Sequence, residues 1–270
     1  MFPACISQIQ TQAHREQRAE MLDYAIEHGH GVEVADFYWF DALDDEARSR
    51  ELVDWYKARL PEVAGIISFH GAFHELNPSA QDNAVRRAAL ERINNCLDIA
   101  EELGASRMVS HSDFNPMRVA PNYLESWAKR LAEFWRTALA GRSIELYIEN
   151  IWDPNPTSIA RVVDEIGLAS VGVCFDIGHA NLWGKAPLAE WVTGLGSRIK
   201  YLHLHDNDRT WDKHLSAGRG TVDWAAVFAA LGQQGVSVPA TLEMRNIADV
   251  RTTLDYFSSI TGDDDVGCAD

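Results

Sequence analysis

The chain has 270 residues, 46% of them hydrophobic and 24% charged, which excludes disorder as its main state and fits an ordinary globular protein. Its formal net charge of -16 argues against nonspecific binding to nucleic acid, because neutralising phosphates takes concentrated Lys and Arg, although a local basic groove is compatible with it. Some of the acidic excess can be metal ligands, whose charge a bound cation offsets. The four cysteines, Cys5, Cys96, Cys174 and Cys268, form no CxxC pair and read as free thiols of a reducing compartment. No early stretch resembles a signal peptide and no apolar run reaches the roughly 18 residues of a membrane span, so the expected location is the cytoplasm.

Along the chain, apolar runs of strand length fall near 2–7, 31–36, 65–70, 107–111, 144–149, 171–176, 199–205 and 238–243. Between and after them come REQRAEMLDYAIEHG, DEARSRELVDWYKARL, QDNAVRRAALERINNCLDIAEELG, NYLESWAKRLAEFWRTAL, PTSIARVVDEIG, PLAEWVTGLG, DWAAVFAALGQQG and ADVRTTLDYFSSI, each of helical period. In the third, Ala89, Ile93, Cys96, Leu97 and Ala100 recur every three or four residues and make one apolar stripe. Gly104, Gly167 and Gly235 follow last turns, where a left-handed cap is expected. Strict strand–helix alternation predicts an α/β protein, a single TIM (β/α)8 barrel over residues 1–260, with a doubly wound open sheet as the competing topology. The acidic tail, 261–270, carries three consecutive Asp and no apolar period, and is expected to fray.

Chemistry in such a barrel sits at the C-terminal ends of strands, so the residues that end each apolar run are the informative ones. GIISFHGAF ends at His70, SRMVSHSDF at His111, IELYIEN at Glu149, VGVCFDIGHAN at Asp176 with His179 three residues on, IKYLHLHDND at His203, and VPATLEMRN at Glu243. One strand-end His or Glu is usually satisfied by its neighbours. Six consecutive strands ending this way bring carboxylates together at one mouth, where they need partners or a cation. Mixed His and carboxylate donors suit Zn2+ or Mn2+ better than Ca2+ or Mg2+, and the absence of Cys from the set suits a catalytic rather than a structural site.

HGAFHELNPSA, IENIWDPNP, VGVCFDIGHANLWG and HLHDNDRTWDKHLSAGRGTVDW resemble the xylose isomerase-like TIM-barrel superfamily, over about residues 65 to 245. That superfamily includes sugar isomerases and epimerases, endonuclease IV, and a large sugar phosphate isomerase/epimerase group. Similarity to endonuclease IV implies that His70 and His111 hold a first ion with Glu149 bridging, that Glu149, Asp176, His203 and Glu243 hold a second, and that His179, Asp212 and His214 hold a third. Similarity to ketose 3-epimerases implies a single metal on Glu149, Asp176, His203 and Glu243, with His179 and Arg209 contacting substrate. FYWF at 37–40 does not resemble the DNA-contacting loop of endonuclease IV, no basic run lies near the strand ends, and no catalytic lysine motif of the aldose isomerases is present.

The resulting expectation is a metal-dependent isomerase or epimerase of a sugar or sugar phosphate, with one to three divalent metals per chain. Glu149 and Glu243 would exchange a proton through an enediolate. The alternatives are a multinuclear zinc phosphodiester hydrolase and a barrel that binds sugar or metal without turnover. Nucleic acid and membrane are not expected partners, and pairing of chains into a homo-oligomer stays open. Trp39, Phe73, Trp152 and Trp183 could wall a pocket, although packing is the commoner role for such aromatics. His74 and His205 are placed beside ligands, and Gly218 and Gly220 in a turn. His14, His28 and His30 are expected at the surface.

Overall fold

A computed structural model describes residues 4–8 and 17–262, so His14, Cys268 and residues 263–270 of the tail lie outside the described residues. Eight parallel strands close on themselves in chain order: β1 (Ala4–Ser7), β2 (Gly31–Val34), β3 (Ile67–His70), β4 (Arg107–His111), β5 (Glu145–Glu149), β6 (Val171–Asp176), β7 (Ile199–Leu204) and β8 (Ala240–Leu242), with β8 pairing β1. Closure satisfies both sides of every strand and rules out the open sheet. The surrounding helices are α1 (Gln17–Glu27), the short α2 (Phe40–Asp44), α3 (Glu46–Arg59), α4 (Asn83–Glu102), α5 (Tyr123–Ala138), α6 (Thr157–Ile166), the short α7 (Ile177–Trp183), α8 (Leu188–Leu195), α9 (Trp224–Gln233) and α10 (Ile247–Thr261).

The strand–helix layer carries the main core. Ala89, Ile93, Cys96, Leu97 and Ala100 of α4 are all buried, as their spacing predicts, and Trp127, Trp135, Trp191 and Trp224 are buried completely. Gly104, Gly167 and Gly235 all adopt positive φ after their helices, and Asp82 caps α4 by accepting from the amides of Ala84 and Val85. Cys5, Cys96 and Cys174 are free and buried. His28 is exposed, but His30 is not a surface residue: it is 3% exposed, because its amide bonds to Ala25 O and turns the chain from α1 straight into β2. Among the described residues no helix is long and apolar enough to cross a membrane.

Inside the barrel, alternation along the strands sends a second set of side chains inward. Cys5, Val109, Tyr147, Cys174 and Tyr201 form a separate small apolar floor. Above it the lining turns polar within one step: Tyr201 Oη meets Thr241 Oγ1 at 2.7 Å and Ser68 Oγ at 3.0 Å, and both hydroxyls donate to Glu33 Oε2 at 3.1 Å. Ionisable strand-end residues stand on that tier.

Candidate metal centre and active site

The strand ends bring His70, His111, Glu149, Asp176, His179, His203, Asp212, His214 and Glu243 into one cluster. Glu149 is its hub. Its Oε2 lies 3.3 Å from His70 Nε2, 3.6 Å from His111 Nε2 and 3.4 Å from His203 Nδ1, and its Oε1 lies 3.0 Å from His179 Nδ1. His203 Nδ1 also faces Asp176 Oδ2 at 3.7 Å and Glu243 Oε1 at 3.3 Å. Asp212 Oδ2 stands 3.4 Å from His179 Nε2 and 3.1 Å from His214 Nε2.

Local bonds decide which nitrogen each imidazole presents. The Nδ1–H groups of His70, His179 and His214 donate to the backbone oxygens of Gly71, Asn150 and Glu243 at 3.0, 2.9 and 2.8 Å, which leaves each Nε2 free as an acceptor or ligand. His203 is turned the other way. Its Nε2 lies 3.2 and 3.3 Å from the two oxygens of Glu33, so Nδ1 is the atom left for the cluster. Asn150 ties β5 to β6 by accepting from the Asp176 amide at 2.9 Å and donating to Asp176 O at 2.8 Å. Asp176 in turn caps α7, accepting from the His179 amide at 2.5 Å, which is how a strand end and a histidine three residues later share one site.

Asp212 and His214 come from the loop after β7, and Asp206 folds that loop. Its carboxylate accepts from the amides of Asn207, Gly218 and Val222 at 2.9, 3.0 and 3.1 Å and from Trp224 Nε1 at 3.1 Å. A side chain at Gly220 would strike Asp206, so the glycine is required there by close approach.

Burial and charge split the titrations. Burial raises the Glu149 carboxyl, but His203, His111 and His179 overcome it and hold it well below the usual range. For Glu243 burial wins over His203 and His214, and it is pushed up to about 7. Burial lowers His111 to about 3, so it is a neutral imidazole at neutral pH. It also raises the Cys174 thiol of the floor, near Glu149 and His203, well above its ordinary value.

The donor set fits a divalent cation. Glu149 Oε2, His203 Nδ1, His205 Nδ1 and Asp212 Oδ1 are buried with no hydrogen-bond partner, the arrangement expected of ligand atoms. Groups of these donors, such as His70, His111 and Glu149, or His205, Asp212 and His214, lie within 4.8 Å of one another.

Arg209 is not drawn into the cluster: it is exposed, at φ 62°, and its guanidinium donates to Asn181 Oδ1 at 3.1 and 3.2 Å. Two residues carry more than their sequence suggests. Glu33 of β2 is wholly buried against His203, and His205 is wholly buried with Nε2 3.2 Å from Asp176 Oδ2 and its ring stacked on His214 at 4.1 Å. The signal for Glu33 is its place as the one charged residue of GVEV, facing inward between two outward valines.

A closed eight-stranded barrel with histidines and carboxylates gathered at its C-terminal mouth defines the class as a (β/α)8 barrel whose mouth offers groups that could hold a metal. The chain belongs to the family described as "Xylose isomerase-like TIM barrel", whose profile matches residues 22–260. It is 31% identical over 196 residues to an uncharacterised protein of Methanocaldococcus jannaschii, covering 68% of this chain and 66% of that one. A probable endonuclease 4 of Mycobacterium leprae is 27% identical (60% and 68% covered), and a ketose 3-epimerase of Arthrobacter globiformis 24% identical (61% and 58%). The matches thus span about three fifths to two thirds of those relatives' lengths. Among solved structures, a D-tagatose 3-epimerase-like protein superposes with TM-score 0.74 at 22% identity, covering 97% of each chain. A Thermus thermophilus protein soaked with ZnCl2 superposes with TM-score 0.73 at 25% identity, covering 96% of this chain and 98% of that one.

Proposed function

We propose that the protein is a divalent-metal-dependent sugar isomerase or epimerase. The observation that carries this reading is the convergence of Glu149, Asp176 and Glu243 on the one free nitrogen of His203, at 3.4, 3.7 and 3.3 Å. These four residues would hold one Zn2+ or Mn2+. When bound, the cation supplies Lewis acidity, which makes the C–H next to a substrate carbonyl easier to ionise.

Glu149 and Glu243 would move that proton. They approach the same nitrogen from β5 and from the end of β8, so a sugar between them offers one face to each. In the metal-free protein the two differ: neighbouring histidines hold Glu149 below the usual carboxylate range, while burial pushes Glu243 up to about 7. Such a pair serves as base and acid in turn, with the substrate passing through an enediolate. His179, whose Nδ1 is fixed by Asn150 O, would orient a substrate hydroxyl through Nε2, and Arg209 would exchange Asn181 for a substrate oxygen.

One observation favours a second reading. His179, Asp212 and His214 form their own cluster, and His70 and His111 a further one on Glu149, so the residues for a three-metal phosphodiester hydrolase are also assembled. Metal content per chain, measured together with turnover of a ketose panel and of an abasic-site duplex, separates the two. One metal with ketose interconversion supports the epimerase; three metals with duplex cleavage support the hydrolase. No retained metal after reconstitution would leave a non-catalytic binding barrel.

A further inference from the structure

Beside the ligand cluster, between the segments that follow β3, β4 and β5, lies a cavity of about 310 Å3 that the proposed proton transfer does not use. Its walls are largely hydrocarbon: Phe73, Leu76, Ile93, Ile151 and Trp152. It joins the cluster at His111, whose ring stacks on Phe73 at 3.9 Å and whose Nε2 faces Glu149. A molecule held at the cluster can therefore extend past His111 into the chamber.

A free ketose fills such a space poorly, since a hydroxyl on almost every carbon would lose water against apolar walls. A cavity of about 150 Å3 with aliphatic and aromatic walls admits benzene, so this one has room for a substituted aromatic ring. Its polar groups are few and fixed. His74 lies in the wall, between the rings of Trp39 and Phe73 at 4.2 Å each, and its Nε2 is buried without a partner. Asp113, also in the wall, accepts from Ser79 Oγ at 2.7 Å. Glu75 and Asp113 hold left-handed backbone at φ 57° and 59°; the other non-glycine residues so held among the described ones, Arg209 and His214, follow β7. Strain of this kind collects where a fold shapes a ligand site.

We propose that this chamber seats an aromatic group carried by the substrate, with a hydrogen-bonding substituent reaching His74 or Asp113. The preferred substrate class is then an aryl-substituted sugar, with free ketoses as weaker substrates. The inference rests on the reading that a sugar binds at the metal centre.

The test is calorimetric titration of the Mn2+-loaded protein with p-nitrophenyl β-D-glucopyranoside, methyl β-D-glucopyranoside and free p-nitrophenol. The aryl glucoside should bind at least about tenfold more tightly than the methyl glucoside. Free p-nitrophenol should bind saturably. L76W, which fills the chamber, should remove both effects, and W152A, at a half-exposed wall residue, should weaken them without unfolding the protein. A soaked crystal should show the nitrophenyl ring between Phe73 and Trp152. Equal affinities for the two glucosides, or no saturable binding of either aryl probe, would overturn the proposal. Aryl-probe binding without proton exchange in any free ketose would sink the epimerase reading alone, and ketose turnover without aryl binding would sink the chamber alone.

Discussion

Glu33 sets the chemistry of His203. With both carboxylate oxygens within 3.3 Å of Nε2, and with Ser68 and Thr241 holding Oε2 from below, Glu33 keeps the Nε2 proton in place and turns Nδ1 toward Glu149, Asp176 and Glu243. Carboxylate partners of ligating histidines typically matter by about 10–100-fold in metal affinity, so E33Q should weaken Mn2+ binding by that much, with E33D recovering part of it. Binding of E33Q at wild-type affinity, measured by calorimetry on a folded sample, would show that Glu33 is only packing. The cluster also predicts a pH dependence. Burial alone would lower His179 and His203, but Asp176 and Asp212 raise the first, and Cys174 with Glu243, Glu33 and Glu149 the second, both well above 6.5; His70 and His205 are raised as well. For a histidine raised in the fold, the stabilisation is complete below its unfolded pKa and is lost as pH climbs through the folded one. The metal-free protein should therefore lose stability as pH climbs above about 6.5. A cation must displace the same protons, so Mn2+ affinity should climb by at least about tenfold from pH 6 to pH 8, with measurable proton release. A flat profile would contradict the assignment of His203 as a ligand.

At the scale of elements, α7 and the loop after β7 turn a strand-end pattern into a site. The α7 segment IGHANLW starts directly after β6 with no intervening loop and is not among the segments whose period predicts a helix, and the cap from Asp176 becomes visible only in three dimensions. Gly178 sits where α7 passes over β7: a Cβ there would enter the His205 ring, which lies against Asp176 on one side and stacks on His214 on the other. Its φ is not in the left-handed region, so G178A is a purely steric change. Overpacking of this kind costs about 1–3 kcal/mol. G178A should lower stability by that amount and displace His205 and His214, weakening binding of any second or third metal while Glu149, Asp176, His203 and Glu243 still bind one. An unchanged metal count and unchanged unfolding midpoint would show that the ring has room to yield. The strand ends themselves were legible because inward residues alternate and each apolar run from β3 to β8 stops on or beside an ionisable side chain. Glu33 and His205 were harder to see. Glu33 precedes the end of its apolar run, and its bonds to Ser68, His203 and Thr241 join residues far apart in the chain, for which the local pattern has no mark.

For the molecule as a whole, the alternation of apolar strand-length runs and helical-period segments sufficed to predict the closed barrel, because burying every strand on both faces leaves few arrangements. The net charge of -16 also acquires a partial explanation, since Glu33, Glu149, Asp176, Asp212 and Glu243 all face the mouth and a bound cation would offset part of that charge. His30 shows what composition hides: an imidazole in a polar-looking turn is buried because the chain must return at once from α1 to β2. The side chamber was likewise beyond reach, as its walls come from stretches far apart in the chain. The account stands or falls on whether a proton leaves carbon at Glu149 and Glu243. The direct measurement is incubation of the Mn2+-loaded protein with a panel of ketoses, with and without aryl substituents, in D2O, followed by mass spectrometry and NMR. The account predicts one deuterium at the carbon beside the carbonyl, lost in E149Q, in E243Q and on chelation; no solvent deuterium in any sugar, or uptake that both variants retain, would contradict it.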